Sequence, residues 1–135
     1  MKMIIFLLLL STLSFAETYK VKQTVVDTKN HLQWQDMRIN EENDQKWKLA
    51  NSYCKSLKLF GENDWRLPTI DELKSMVALQ NSTKLFEFVG VDSYWSSEED
   101  KDDSLNAMEA YSTNAYISSQ DKCETSHFRC VRDYR

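Results

Sequence analysis

The segment that most constrains the fold runs from Gly61 to Met76 and contains the only proline of the chain and one of its two glycines. Pro68 biases the residue before it towards an extended backbone, so a helix is not expected to begin earlier. Thr69 follows as a candidate N-cap, and Glu72 lies three residues later, which is the spacing of a capping box. We therefore predict an extended approach, a sharp corner and a helix that begins at residue 70.

Apolar residues lie on both sides of this corner. Trp65 and Leu67 precede it and are predicted to lie on the core as an extended pair. The helix continues the same core at helical spacing through Ile70, Leu73, Met76 and Val77. We interpret the corner as structural rather than chemical, and the residues to which we assign a structural role are Trp34, Trp65, Arg66, Leu67, Pro68, Thr69 and Glu72.

An earlier helix is predicted from Asn40 to about Phe60. Acidic residues after Asn40 suit the positive end of a helix. An apolar stripe follows, made of Trp47, Ala50, Cys54 and Leu57, and we expect it to face the core. Gly61 is then expected to adopt the left-handed conformation that ends many helices.

The remaining segments predict strands separated by turns. Leu32 and Trp34 alternate with glutamines, the pattern of a half-buried strand, and Asp27 to Asn30 has the composition of a turn. The other predicted strands are 19–26, 94–97, 105–111, 114–117 and 128–131.

The first sixteen residues have the pattern of a cleaved signal peptide. Lys2 gives a basic start, Ile4 to Leu10 is an unbroken apolar run, and Ser14 to Ala16 has small residues at a cleavage spacing. The apolar run is too short to span a bilayer core of about 30 Å as a helix. We predict cleavage after Ala16, one domain over residues 17–135, and no stable membrane insertion after cleavage.

The charge of the chain argues against nucleic acid as a partner. The full sequence carries a net charge of −4, and loss of Lys2 leaves 16 basic against 21 acidic side chains. Nucleic-acid-binding proteins require a basic face. The chain also lacks phosphate-binding and hydrolase motifs, so we predict no cofactor and no catalytic residues.

Three cysteines in an exported chain predict one disulfide and one remaining thiol. The residues leave three pairings open: Cys54–Cys130, Cys123–Cys130 and Cys54–Cys123. A zinc site is an alternative, because Cys123, His127 and Cys130 could be completed by Cys54, but an oxidising compartment favours a disulfide.

Five acids occur in the six residues from Glu98 to Asp103. An EF-hand loop needs a glycine at its sharp turn, and no glycine follows Gly90. We interpret the run as a solvated loop. An acid pair within it is the basis of an alternative function, a hydrolase of the cell envelope.

Several motifs occur in order after residue 20. They are Val26-Asp27, Leu32-Gln33-Trp34-Gln35-Asp36, Ala50-x-x-Tyr53-Cys54-x-x-Leu57, Trp65-Arg66-Leu67-Pro68-Thr69-x-x-Glu72-Leu73, Tyr94-Trp95-Ser96-Ser97 and Arg129-Cys130-Val131-Arg132. Together they resemble the Lcl C-terminal domain family, named from a bacterial collagen-like adhesin. The resemblance implies an α+β, C-type-lectin-like fold with two helices packed beside a small antiparallel sheet. It also favours the pairing Cys54–Cys130, with Cys123 outside that disulfide.

The resemblance and the absence of a catalytic motif favour a non-catalytic binding module. We expect it in the bacterial periplasm or outside the cell, where it would engage a glycan, peptide or protein ligand. Tyrosine and tryptophan offer rigid contact area at modest entropic cost. The candidate ligand-binding residues are Tyr94, Trp95, Tyr111 and Tyr116.

Overall fold

The computed structural model describes residues 17–135, so the predictions for the signal peptide at residues 1–16 lie outside the described residues. Residues 17–135 form an α+β fold with three helices and nine strands in three antiparallel sheets. The helices are α1 (Ile39–Glu42), α2 (Trp47–Ser56) and α3 (Ile70–Ser82). The strands are β1 (Thr18–Val21), β2 (Thr24–Asp27), β3 (Leu32–Gln35), β4 (Gln45–Lys46), β5 (Ser93–Glu99), β6 (Asn106–Tyr111), β7 (Ile117–Asp121), β8 (Thr125–Ser126) and β9 (Val131–Asp133). Within this range, no helix has both the length and the apolar character needed to cross a bilayer.

The first sheet has the order β1-β2-β3-β9, so it pairs the first described strands with the last. The prediction of one strand over residues 19–26 was wrong, because a tight turn at Lys22 separates β1 from β2. Val21 pairs with Thr24 across this turn, and the Thr24 hydroxyl donates to the Val21 carbonyl at 2.9 Å. Lys22 has a φ of 51°, a left-handed conformation that is uncommon for lysine and that the sequence therefore does not predict.

The other sheets are β5-β6-β7 and the short pair β4-β8. The strand predicted over residues 114–117 begins only at Ile117, because residues 112–116 form the connection from β6 to β7. The strand predicted over 128–131 is shifted as well, since β9 begins at Val131. The segment before it is irregular and still buried, which is why its apolar pattern resembled a strand.

The predicted long helix is divided in two, so the described chain has three helices rather than two. After the single turn of α1, Gln45 and Lys46 pair with Thr125 and Ser126, which holds the backbone extended until α2 begins. Helix α2 ends at Ser56, earlier than predicted.

Gly61 does not end α2 as predicted. It lies with Phe60 at the centre of a two-residue turn, where both residues have positive φ and Leu59 exchanges two backbone hydrogen bonds with Glu62. Both central residues of a type I′ turn require positive φ, which explains a glycine at this position.

The corner before α3 has the predicted geometry. The Glu72 amide donates to Thr69 Oγ1 at 3.2 Å, and the Thr69 amide donates to Glu72 Oε1 at 2.9 Å, which confirms the capping box. Pro68 contributes its carbonyl, which accepts from the Ser97 amide at 2.7 Å and joins the corner to β5. Trp65 and Leu67 are both buried, as predicted.

Arg66 joins this corner to the end of the chain. Its backbone exchanges two hydrogen bonds with Val131, at 2.9 and 2.8 Å. Its guanidinium binds Glu72 in a bidentate pair and also contacts Asp133 at 2.8 Å. The hydrogen bond that Arg66 donates to Glu72 is the main reason that the pKa of Arg66 is raised.

Two apolar clusters form the core. One surrounds Trp34 and includes Leu73 and Met76 of α3. The other contains Trp65 and Trp95 together with the disulfide between Cys54 and Cys130. The disulfide confirms the favoured pairing and joins α2 to the segment that precedes β9.

A buried ion pair lies beside the first cluster. Arg129 and Asp36 both have fully buried side chains and approach to 3.3 Å, and Arg129 also stacks on Phe86. Burial alone would raise the pKa of Asp36. The hydrogen bond from Lys20, the amides of residues 87 and 88 and the charge of Arg129 outweigh burial and hold that pKa below its ordinary value.

Candidate functional site

The structure separates the four predicted ligand-binding rings into two pairs. Tyr94 and Trp95 are fully buried, so their assignment to a ligand-binding surface was wrong. The Trp95 indole donates to the Gln45 carbonyl at 2.7 Å, and the Tyr94 hydroxyl accepts from the Gly90 amide at 2.6 Å. Both polar groups are satisfied inside the protein, which is how buried tyrosine and tryptophan are usually accommodated.

Tyr111 and Tyr116 lie at the surface beside each other. Tyr111 is 39% exposed and Tyr116 is 62% exposed, and their ring centroids are 5.6 Å apart. Tyr111 ends β6, and its amide donates to the Tyr116 carbonyl at 2.9 Å. The two residues therefore form an aromatic pair at one end of the three-stranded sheet.

The loop between the two tyrosines is held from both sides. The Asn114 side chain accepts from the Tyr116 amide at 2.9 Å. The Asn81 side chain, at the end of α3, donates to the carbonyls of Ser112 and Thr113 at 3.3 and 3.1 Å. These contacts fix the aromatic pair in place, which lowers the entropy that would be lost when a ligand binds.

A cavity of about 490 Å³ opens next to Tyr111. Its lining comes from β5, β6, β7, β8 and their connections and consists of Asp92, Ser93, Glu109, Tyr111, Thr113, Gln120, Thr125 and Ser126. Hydroxyl and carboxylate groups dominate this lining, so the cavity offers mostly hydrogen-bond acceptors and rotatable donors. We call it the Glu109 cavity.

Glu109 is the most buried charged residue of this cavity, with 3% of its surface exposed. The hydroxyl of Ser93 donates to Glu109 Oε2 at 2.9 Å, and the hydroxyl of Ser126 donates to the same oxygen at 2.5 Å. Ser93 belongs to β5 and Ser126 to β8, so residues from three strands define the carboxylate position.

Sequence reasoning did not identify Glu109. One signal was available, because β6 alternates its side chains and Glu109 is two residues from Tyr111, hence on the same face of the strand. The hydrogen-bond partners of Glu109 could not be identified from the sequence in the same way. Ser93 and Ser126 reach Glu109 only through the pairing of β5 with β6 and the approach of β8.

The acidic run at 98–103 lies elsewhere, and several of its carboxylates already accept hydrogen bonds from other groups of the protein. Glu98 accepts from the Ile70 amide at 2.6 Å, which adds a second acidic cap to α3. Asp100 accepts from the Ser119 hydroxyl at 2.6 Å, and this bond is the main reason that the pKa of Asp100 is lowered. The cavity of about 260 Å³ beside these acids has no histidine in its lining.

The cysteines do not form the alternative zinc site. Cys54 and Cys130 are consumed by the disulfide, Cys123 is exposed, and His127 is buried against Gly90 and Tyr94. Across residues 17–135, no group of three or more His, Cys, Asp or Glu side chains is arranged to hold a metal ion.

A further cavity of about 460 Å³ adjoins the C-terminal strand. Arg132 is its most prominent cation, but its guanidinium is bound to Asp64 at 2.6 Å, Gln33 at 2.8 Å and Glu62 at 3.2 Å. These contacts already satisfy the charge of Arg132, so the Glu109 cavity is the better candidate for ligand binding.

The fold and this surface define a small disulfide-linked α+β domain with a polar cavity bordered by exposed tyrosines. Comparison with protein families matches residues 23–132 to the Lcl C-terminal domain. The chain therefore belongs to the Lcl C-terminal domain family, as the sequence motifs predicted. A search of curated proteins finds no match to the chain.

Proposed function

We propose that this protein is an exported, non-catalytic binding module that engages a glycan, peptide or protein ligand. The observation that carries the proposal is the exposed pair of Tyr111 and Tyr116 beside the Glu109 cavity. Exposed aromatic rings held by a rigid loop are typical of recognition surfaces, because they provide large contact area with little loss of side-chain freedom.

We further propose that the protein acts in the bacterial periplasm or outside the cell. The disulfide between Cys54 and Cys130 supports this location, since disulfides persist in oxidising compartments. The leader-like sequence of residues 1–16 and membership of a family named from a bacterial adhesin point the same way.

The proposal assigns no catalytic residues and no nucleic-acid partner. The net charge of −4 supports the second point, because a nucleic-acid-binding surface needs clustered cations. The alternative hydrolase would use the acids at 98–103. Glu98 accepts a hydrogen bond from the Ile70 amide, and Asp100 accepts from the Asp102 amide and the Ser119 hydroxyl, so we favour the binding module.

We also propose that the arrangement is C-type-lectin-like, with the two longer helices α2 and α3 beside antiparallel sheets. Two features support this: the first sheet joins the first described strands to the last, and a disulfide links α2 to the segment before β9. Function is not inferred from this likeness, since one fold serves many functions.

Glycan and peptide arrays probed with the oxidised, exported protein test the binding proposal. We expect at least one retained ligand class, and at least a tenfold loss of affinity when Tyr111→Ala and Tyr116→Ala are combined. Leu49→Ala is the matched control, because Leu49 is 57% exposed on α2 and does not line the Glu109 cavity.

Both variants must first keep the melting temperature of the wild type within about 2 °C, which corresponds to well under 1 kcal/mol for a domain of this size. Wild-type affinity in the tyrosine variant would contradict the proposed site. Failure to retain any glycan or peptide would exclude those two ligand classes, and failure to recover a protein partner in a pull-down as well would contradict the binding function.

A further inference from the structure

The Glu109 carboxylate lacks a positive partner. Across residues 17–135, no lysine, arginine or histidine nitrogen lies within 4.0 Å of it, and its hydrogen bonds come from the hydroxyls of Ser93 and Ser126. Both hydroxyls donate to Oε2, which leaves Oε1 without a hydrogen-bond donor from the described residues. Glu109 lines the cavity, so Oε1 remains available to a donor in a bound ligand, and a cationic donor would also pair the charge of the carboxylate.

The rest of the lining reinforces the negative field. Asp92 adds a second carboxylate at the exposed rim, and none of the residues that line the cavity is basic. Carboxylates that face a concave, partly desolvated space concentrate the field within it and raise the local concentration of cations. The remaining polar groups are hydroxyls and an amide, which accept hydrogen bonds from a donor-rich ligand.

The size and composition of the cavity favour an organic cation over a metal ion. Calcium takes six to eight oxygen ligands, whereas the lining offers only two carboxylates, and residues 17–135 hold no group of three or more His, Cys, Asp or Glu side chains arranged for a metal ion. A volume of about 490 Å³ accommodates an alkyl or sugar body together with its charged group. The Tyr111 ring at the edge adds an aromatic face that attracts cations.

We propose that the Glu109 cavity binds a primary ammonium group, with Glu109 Oε1 as the principal acceptor, Asp92 as the rim charge and Tyr111 as the aromatic wall. This inference rests on the proposed binding function and specifies the chemistry of its ligand. A lysine side chain and an amino sugar both carry such a group, so the test includes one compound of each kind.

Two pairs of small compounds separate charge from shape. The first pair is Nα-acetyl-lysine amide and its Nε-acetylated, neutral form. The second pair is glucosamine and N-acetylglucosamine. Each is titrated over a millimolar range into isotopically labelled, oxidised protein, and binding is measured from amide chemical shifts.

We expect at least one cationic compound to shift the amides of Ser93, Glu109, Tyr111 and Ser126, and to bind at least tenfold more tightly than its neutral partner. If only Nα-acetyl-lysine amide shifts these amides, the result identifies a peptide or protein ligand. If only glucosamine shifts them, the result identifies a glycan. The inference is overturned if neither cationic compound shifts these amides, or if each cationic compound that does is matched in affinity by the neutral form of its pair.

Glu109→Gln and Asp92→Asn test the two carboxylates. Glutamine retains an oxygen that can accept from Ser93 and Ser126, and asparagine suits the positive φ of 63° at position 92. We expect at least a tenfold loss of affinity for Glu109→Gln, a smaller loss for Asp92→Asn, and no loss for Glu41→Gln, a control that removes one exposed charge on α1. If Glu109→Gln is folded and binds as the wild type does, the inference is wrong.

Calcium chloride is titrated as a separate arm. Shifts of the same amides at lower concentrations of calcium than of either ammonium compound would overturn the assignment to an organic cation. The array experiment remains independent of these outcomes. A neutral array ligand that depends on Tyr111 and Tyr116 would preserve the binding function while the ammonium inference fails.

Discussion

Truncation of Trp65 tests whether the corner before α3 is structural. Trp65 is 2% exposed, and its indole donates to the carbonyls of Leu59 and Glu62 at 3.3 and 3.2 Å. Removal of a buried tryptophan side chain costs about 3–5 kcal/mol. With an unfolding entropy of about 2.1 cal/mol/K per residue, a domain of about 120 residues loses about 4 °C per kcal/mol. Trp65→Ala is therefore expected to lower the melting temperature by about 12–20 °C.

Two comparisons make this measurement specific. Thr69→Ala deletes only the cap, so we expect a loss of about 1 kcal/mol, or about 4 °C. Tyr116→Ala removes an aromatic ring that is 62% exposed and should leave the melting temperature within about 2 °C. Thermal unfolding of the oxidised protein by circular dichroism provides all three values. A shift below about 2 °C for Trp65→Ala would refute the structural role of the corner.

Two further predictions concern the disulfide and the buried ion pair. Cys54 and Cys130 are 76 residues apart, so Cys54→Ala combined with Cys130→Ala should lower the free energy of unfolding by about 4 kcal/mol in the loop-entropy model. Cys123→Ser, at an exposed thiol, should change the free energy of unfolding by less than about 0.5 kcal/mol. Urea titrations measure both values, and equal effects would contradict the assigned disulfide. Because the pKa of Asp36 is lowered in the folded state, the stability from its charged form is fully present above pH ~4 and is lost as the pH falls through that lowered pKa. Asp36→Asn leaves Arg129 buried without its carboxylate, so it should lower the free energy of unfolding by about 3–5 kcal/mol at pH 7. It should also weaken the dependence of urea unfolding on acid pH, and an unchanged dependence would contradict this role of Asp36.

The corner was predictable because its signals are local. Pro68, Thr69 and Glu72 act on neighbouring backbone groups, so their spacing alone indicated the start of α3. The disulfide pairing required more, since three cysteines allow three pairings and only the family resemblance favoured Cys54 with Cys130.

Elements that depend on distant partners were harder to predict. The break between α1 and α2 exists because Gln45 and Lys46 pair with β8, about 80 residues later in the chain. The turn at Lys22 uses a left-handed residue that is neither glycine nor asparagine. In both cases tertiary contacts override what local composition indicates.

The candidate site was only partly predictable for a related reason. Composition identified aromatic residues but not which of them are exposed, and the core retained Tyr94 and Trp95 while Tyr111 and Tyr116 remained at the surface. Glu109 was missed because a lone acid in a strand has no significance until its neighbours are known. Its cavity arises where β5, β6, β7 and β8 converge.

Amide chemical-shift mapping of the protein with the strongest ligand from the arrays tests the binding site most directly. We predict that the largest shifts fall on Glu109, Tyr111 and Tyr116 and on residues that line the Glu109 cavity, with little change on α2. Largest shifts around Arg132, or around the acids at 98–103, with the Glu109 cavity unaffected, would contradict it.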